Sequence, residues 1–120
     1  MVKKLLALGG DGIGPEVLES GLKILETVSK GIKVNFDIDF DLIGGICWDK
    51  YGTFCRNITI QKAKEVDAIL VGAVGGPKWD AMKIKGDPVD QDGLMCLRKK
   101  LDTFFGIRPI KYYKLSLIHI

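Results

Sequence analysis

Two arginines, Arg98 and Arg108, stand ten residues apart near the end of a 120-residue chain. A guanidinium holds a carboxylate through two parallel hydrogen bonds, which fixes its orientation as well as its charge. Leu94 lies four residues before Arg98 and Met95 three, so on a helix all three share one face. An apolar patch beside a guanidinium suits a small acid that carries both a hydrocarbon branch and carboxylates. Spacing alone favours a plainer reading, in which Leu94 and Met95 are core and Arg98 is surface. Arg108 precedes Pro109, which biases it toward extended backbone and gives it a stiff base from which to project.

Upstream lies a stretch with different chemistry, Gly72-Ala-Val-Gly-Gly-Pro-Lys-Trp-Asp80. Glycines let a ligand approach the backbone closely. Lys78 and Trp79 would offer a cation and a stacking face, or simply a solvated lysine and a packed indole. A second glycine cluster, Gly10-Asp-Gly-Ile-Gly14, has the spacing G-x-G-x-G and so fails the dinucleotide fingerprint G-x-G-x-x-G. It remains a tight strand-to-helix turn whose helix start could favour an anion. His119, the only histidine, has no partner in sequence, and no metal-ligand spacing is present.

The elements that must position these residues alternate in type. Leu5 to Leu8 is a short apolar run stopped by glycine, and predicts a buried strand. Pro15 suits the first turn of a helix, and Leu18, Leu22, Leu25 and Val28 recur at helical spacing as one buried face to Ser29. Lys30-Gly31 predicts that helix's end. From Lys33 to Asp41 apolar and polar residues alternate, with Val34, Phe36, Ile38 and Phe40 on one side, as in an edge strand buried on one face. Gly44 to Gly52 reads as a short helix or loop, and Ile58 to Glu65 as a helix. Val66 to Gly72 reads as a buried strand. Residues Asp80 to Asp92 form a long polar loop that could cover a ligand, Leu94 to Leu101 a helix, and Phe104 to Tyr113 an extended segment. Strand–helix–strand order predicts an α/β fold with a largely parallel sheet and helices on its faces. Ligands then belong beyond the carboxyl ends of the strands, where both glycine clusters fall.

Composition narrows the function classes. Eighteen basic against fifteen acidic residues give a net charge of +3, too mild and too scattered to imply nucleic acid or an anionic membrane. The apolar run after Met1-Val-Lys-Lys is four residues long, short of the roughly 7–15 of a secretory signal. No run approaches the ~20 apolar residues of a membrane span. Cys47, Cys55 and Cys96 form no Cys-x-x-Cys pair, and an odd count reads as reduced thiols of a cytoplasmic protein.

Taken together, Leu8-Gly-Gly-Asp-Gly-Ile-Gly-Pro-Glu16, Leu42-Ile-Gly-Gly45, Asp67 to Asp80, Gly93-Leu-Met-Cys-Leu-Arg-Lys99 and Arg108-Pro109 follow the order and spacing of one family. The chain resembles the amino-terminal third of a 3-isopropylmalate dehydrogenase, within the isocitrate/isopropylmalate dehydrogenases. The resemblance implies the family's α/β/α sandwich with a mixed sheet, incomplete in this chain, over residues 1–114. It further implies NAD-linked oxidation of a 2-hydroxy dicarboxylic acid with metal-assisted decarboxylation, Mg2+ or Mn2+ being the metal, in a homodimer or larger assembly. Gly76, Pro77, Lys78, Trp79, Asp80 and Gln91 would lie along the cofactor near its nicotinamide end. Arg98 and Arg108 would grip substrate carboxylates, with Leu94 and Met95 facing its branched side chain.

Gln91 stands where the isopropylmalate members usually carry glutamate, and Asp92 and Met95 also depart from the common pattern. The isocitrate branch places serine and asparagine nearby, where this chain has Asp92 and Leu94. A branched aliphatic acid is therefore favoured over isocitrate, with tartrate, malate and homoisocitrate relatives still open. A stand-alone α/β module binding an anion or nucleotide is the reading from a different class. Residues 115–120 no longer follow the family and read as a foreign tail. The catalytic residues and metal ligands are expected in a part of the family's chain not present here, so the fragment is expected to be inactive and poorly soluble or partly unfolded.

Overall fold

A computed structural model describes residues 1–82 and 84–114. The expected foreign tail and His119 lie outside the described residues. The elements run β1 (Val2–Gly10), α1 (Gly14–Ile32), β2 (Asn35–Asp41), α2 (Gly45–Tyr51), α3 (Asn57–Glu65), β3 (Ala68–Ala73), α4 (Pro77–Asp80), a 3-10 turn (Pro88–Gln91) and α5 (Gly93–Lys100). The three strands form one parallel sheet in the order β2-β1-β3. The α/β class and parallel pairing agree with expectation, and no antiparallel strand occurs among the described residues.

Register assigns the faces. Leu5 pairs with Ile38 on one side and Ala68 on the other, while Leu6 and Leu8 pair with Ile69 and Val71. Side chains alternate along a strand, so Leu6, Leu8, Ile69 and Val71 share one face. That face holds the core: Leu6 and Leu8 pack with Ile43, Cys55, Ile60, Ala63, Cys96 and Leu97 under α3 and α5. The opposite face carries Leu5, Ala7, Ile38 and Phe40, and α1 lies against it. Its turn from β1 is tight enough that a Cβ on Gly14 would stand 2.7 Å from the main chain of Ala73. Only glycine permits that backbone approach, which seats the α1 start on the end of β3.

Four local expectations need correction. The α1 face is buried at Leu18 (6% exposed) but open at Val28 (48%), and Phe40 at the end of β2 is 60% exposed. Periodicity marks the side that could be buried, and the described elements cover only part of it. Helix α1 also runs through Gly31, and Lys33 takes the left-handed cap at φ 56°. Pairing fixes that position, because Asn35 must already donate to the Met1 carbonyl at 3.1 Å. Pro77 to Asp80 forms α4, a single helical turn: Pro77 opens it, and the Gly76 carbonyl accepts from Trp79 and Asp80. Finally, the 80–92 segment contains the 3-10 turn, capped by the Asp87 side chain accepting from Val89 N–H at 3.0 Å.

Candidate functional site

Strands β1 and β3 end side by side, with Gly10 paired to Ala73. The Asp11 N–H donates to the Ala73 carbonyl at 2.7 Å, which binds the two outgoing loops together. Beyond this edge lies a cleft of about 320 Å³. Its walls include Gly45 and Phe54 from the α2 region, Val74, Gly75, Gly76, Trp79 and Asp80 from the loop after β3, and Gln91, Asp92 and Gly93 from the approach to α5. Gly76, Trp79, Asp80 and Gln91, expected from sequence on the cofactor side, therefore share one cleft. Pro77 and Lys78 are exposed and do not line it.

Trp79 lies against the start of α2 so closely that a Cβ on Gly45 would collide with its indole ring. Its Nε1–H donates to Asp49 at 3.1 Å, and Lys78 Nζ reaches the other Asp49 oxygen at 2.6 Å. These bonds, Lys78 first and then Trp79, hold the Asp49 carboxyl below its ordinary range. Lys78 thus braces α4 against α2. Gln91 spends its amide N–H groups on the carbonyls of Ile84 and Gly86 at 2.8 and 3.3 Å, which fastens the loop across the cleft mouth. The charged side chains lining this cleft are carboxylates, Asp80 and Asp92. Asp92 also caps α5, accepting from Leu94 and Met95 N–H at 2.9 and 3.1 Å.

A second groove, of about 700 Å³, opens on the other side of the 3-10 turn. Val89, Met95, Arg98 and Lys99 form one wall, and Phe104, Phe105, Ile107 and Arg108 the other. Both expected arginines and Met95 are here, while half-buried Leu94 lines neither cavity. Lys99 is paired with Asp87 at 3.2 Å. Arg98 and Arg108 both line this groove, and among the described residues no carboxylate pairs with either. Asp11 and Asp49 carry no local sequence signal, because their partners lie far along the chain. The three thiols are buried, and burial, followed by neighbouring Cys96, pushes Cys55 up to about 12. Among the described residues no cluster of three His, Cys, Asp or Glu side chains could hold a metal ion, and no helix is long and apolar enough to cross a membrane.

The described residues thus place a strand-end cleft and a second groove lined by Arg98 and Arg108 on an open parallel sheet of an α/β fold. Comparison with known proteins identifies the chain further. The model of the isocitrate/isopropylmalate dehydrogenase family matches residues 4–119, and the chain belongs to that family of oxidative decarboxylating enzymes. It is 42% identical over 113 residues to the 3-isopropylmalate dehydrogenase of Pseudomonas putida, covering 94% of this chain and 31% of that enzyme. The Dehalococcoides mccartyi (strain 195) enzyme of the same name is 46% identical over 108 residues, covering 90% and 29%. That of Bacillus subtilis is 42% identical over 114 residues, covering 95% and 31%. The chain therefore spans about a third of the length of these relatives. The fold matches an apo β-decarboxylating dehydrogenase from Thermococcus kodakarensis with a TM-score of 0.66 at 24% identity, over 83% of this chain and 27% of that one. An isocitrate dehydrogenase from Methylococcus capsulatus gives 0.58 at 21% identity, over 74% and 24%.

Proposed function

We propose that this chain is the amino-terminal part of an NAD-dependent dehydrogenase that converts 3-isopropylmalate to 2-oxoisocaproate and CO2, a step of leucine biosynthesis in the cytoplasm. The observation that carries the reading is a pair of cavities of opposite charge, flanking the start of α5. The acidic, glycine-walled cleft suits the nicotinamide riboside end of the cofactor. Its oxidised ring is a cation, its ribose hydroxyls can donate to Asp80 or Asp92, and Trp79 offers a flat wall. The same carboxylates disfavour a pyrophosphate there, and about 320 Å³ is too little for the whole dinucleotide.

The basic groove suits the acid. Arg98 and Arg108 hold its two carboxylates, and Met95 with Val89 meets a branched hydrocarbon group. When bound, nicotinamide accepts the hydride from the carbinol carbon, and Mg2+ or Mn2+ acts as Lewis acid for loss of the carboxylate. The metal ligands and the catalytic acid–base residues are assigned to the part of the relatives that this chain does not span. This chain alone then lacks activity, and the active protein is a homodimer or larger.

The test is a chimera joining residues 1–114 to the remainder of the Bacillus subtilis enzyme, with folding checked by circular dichroism. It should reduce NAD with 3-isopropylmalate in preference to isocitrate, malate or tartrate. Arg98→Met or Arg108→Met should lower kcat/KM roughly a hundredfold, as expected for losing a charge-paired contact. A folded chimera that prefers another of these acids, or that tolerates both substitutions, overturns the reading.

A further inference from the structure

Asp11 is a buried carboxylate, at 3% exposure. Burying a charge is costly unless hydrogen bonds replace its water. All three replacements here come from main chain. Oδ2 accepts from Gly45 N–H at 2.8 Å and Gly75 N–H at 2.9 Å, and Oδ1 accepts from Ile46 N–H at 2.7 Å. Gly45 and Ile46 open α2, where amide groups have no partner within the helix. Gly75 belongs to the loop leaving β3. The main chain of Asp11 is secured separately, by the Ala73 carbonyl and by Gly14 N–H at 2.8 Å. The side chain is therefore free to do something the backbone does not, which is to join the α2 start to the Gly75 loop. Both segments line the cleft, and Trp79 rests on one of them through Gly45.

We propose that Asp11 is the positioning residue of this cleft, its carboxylate holding the α2 start and the Gly75–Gly76 loop at a fixed separation so that Trp79 keeps its place. The proposal rests on the cofactor-side reading for its significance, but not for its test. Asp11→Asn is nearly isosteric, yet an amide has one acceptor oxygen and an NH2 group that must face at least one of the three N–H donors. It therefore loosens the walls without emptying the space, and Asp11→Ala releases all three donors.

The measurement is residue-resolved amide exchange by NMR on the 120-residue chain, with the Trp79 indole resonance identified by Trp79→Phe. In Asp11→Asn at least one of Gly45, Ile46 and Gly75 should exchange tenfold faster or more relative to Leu6 and Leu8 of β1, and the Trp79 indole resonance should shift. In Asp11→Ala all three amides should do so. Amides that quicken only in step with β1 reduce Asp11 to a general contributor to stability and overturn the proposal, as does no change at all. If the variants do not fold, the unmodified chain decides. Gly75 and Ile46 should exchange as slowly as β1 amides, and exchange as fast as that of exposed Phe104 sinks the idea. No nucleotide enters these readouts, so the cofactor reading can fail without altering the result.

Discussion

Asp41 shows how a single carboxylate can tie a strand end to a helix and make stability depend on pH. It accepts from Arg56 Nη2 at 2.6 Å, from Leu42 N–H at 2.8 Å and from Thr59 Oγ1 at 3.0 Å, with Lys62 Nζ at 3.5 Å. Burial alone would raise its pKa. The bonds from Leu42, Arg56 and Thr59 outweigh that and hold it below its ordinary value of 3.8. A carboxyl lowered on folding stabilises the protein fully above its unfolded value, and loses that contribution as pH falls through its folded value. Asp41→Asn should therefore cost about 1.5–3 kcal/mol at pH 7, the range for hydrogen bonds to a charged group. The gap should be smaller at pH 3 than at pH 7, because the stabilisation fades as pH falls from the ordinary 3.8 toward the lower folded value. Urea unfolding of parent and variant at both pH values checks this, and an unchanged gap would contradict it.

Helix α1 is the element where burial and periodicity part company. Leu18 sits in the buried half, near the close approach of Gly14 to β3, so Leu18→Ala should destabilise by about 2–5 kcal/mol through the cavity it leaves. Val28, 48% exposed on the same stripe, should tolerate alanine within about 0.5 kcal/mol. Equal losses at the two positions would mean that the stripe is covered along its length. Most elements were legible in the sequence because they are local: glycine stops β1, alternation marks β2, and 3.6-residue spacing marks α1. Arg98, Met95 and Arg108 could be placed together for the same reason, being close in sequence and separated by one turn. Asp11 could not, because its carboxylate acts on donors 34 and 64 residues away. The exposure of Phe40 was equally hidden, since alternation says which face a residue takes and nothing about what lies over that face.

At the scale of the whole molecule, too much apolar surface faces water. The accessible surface is 8980 Å², where a compact protein of this mass exposes roughly 6400 Å². The radius of gyration is 16.0 Å, against roughly 13.6 Å for a compact domain of this length. Three features contribute to the excess. The segment after α5 leaves Phe104, Phe105, Ile107 and Ile110 outside, Phe104 at 97% exposure. The outer part of α1 presents Val17, Ile24 and Val28. Strands β2 and β3 each offer an unpaired edge among the described residues, and such edges recruit other chains. Apolar patches of this kind mark surfaces that bind something or aggregate. The chain should therefore enhance 1-anilinonaphthalene-8-sulfonate fluorescence in native buffer and elute from a sizing column at larger apparent mass as its concentration rises. A dye-silent monomer with a sharp thermal transition would mean that these surfaces are already covered within the chain. Because β1 is paired on both sides and packs on the Leu6–Leu8 core, its amides should remain the slowest to exchange even when the rest of the surface associates.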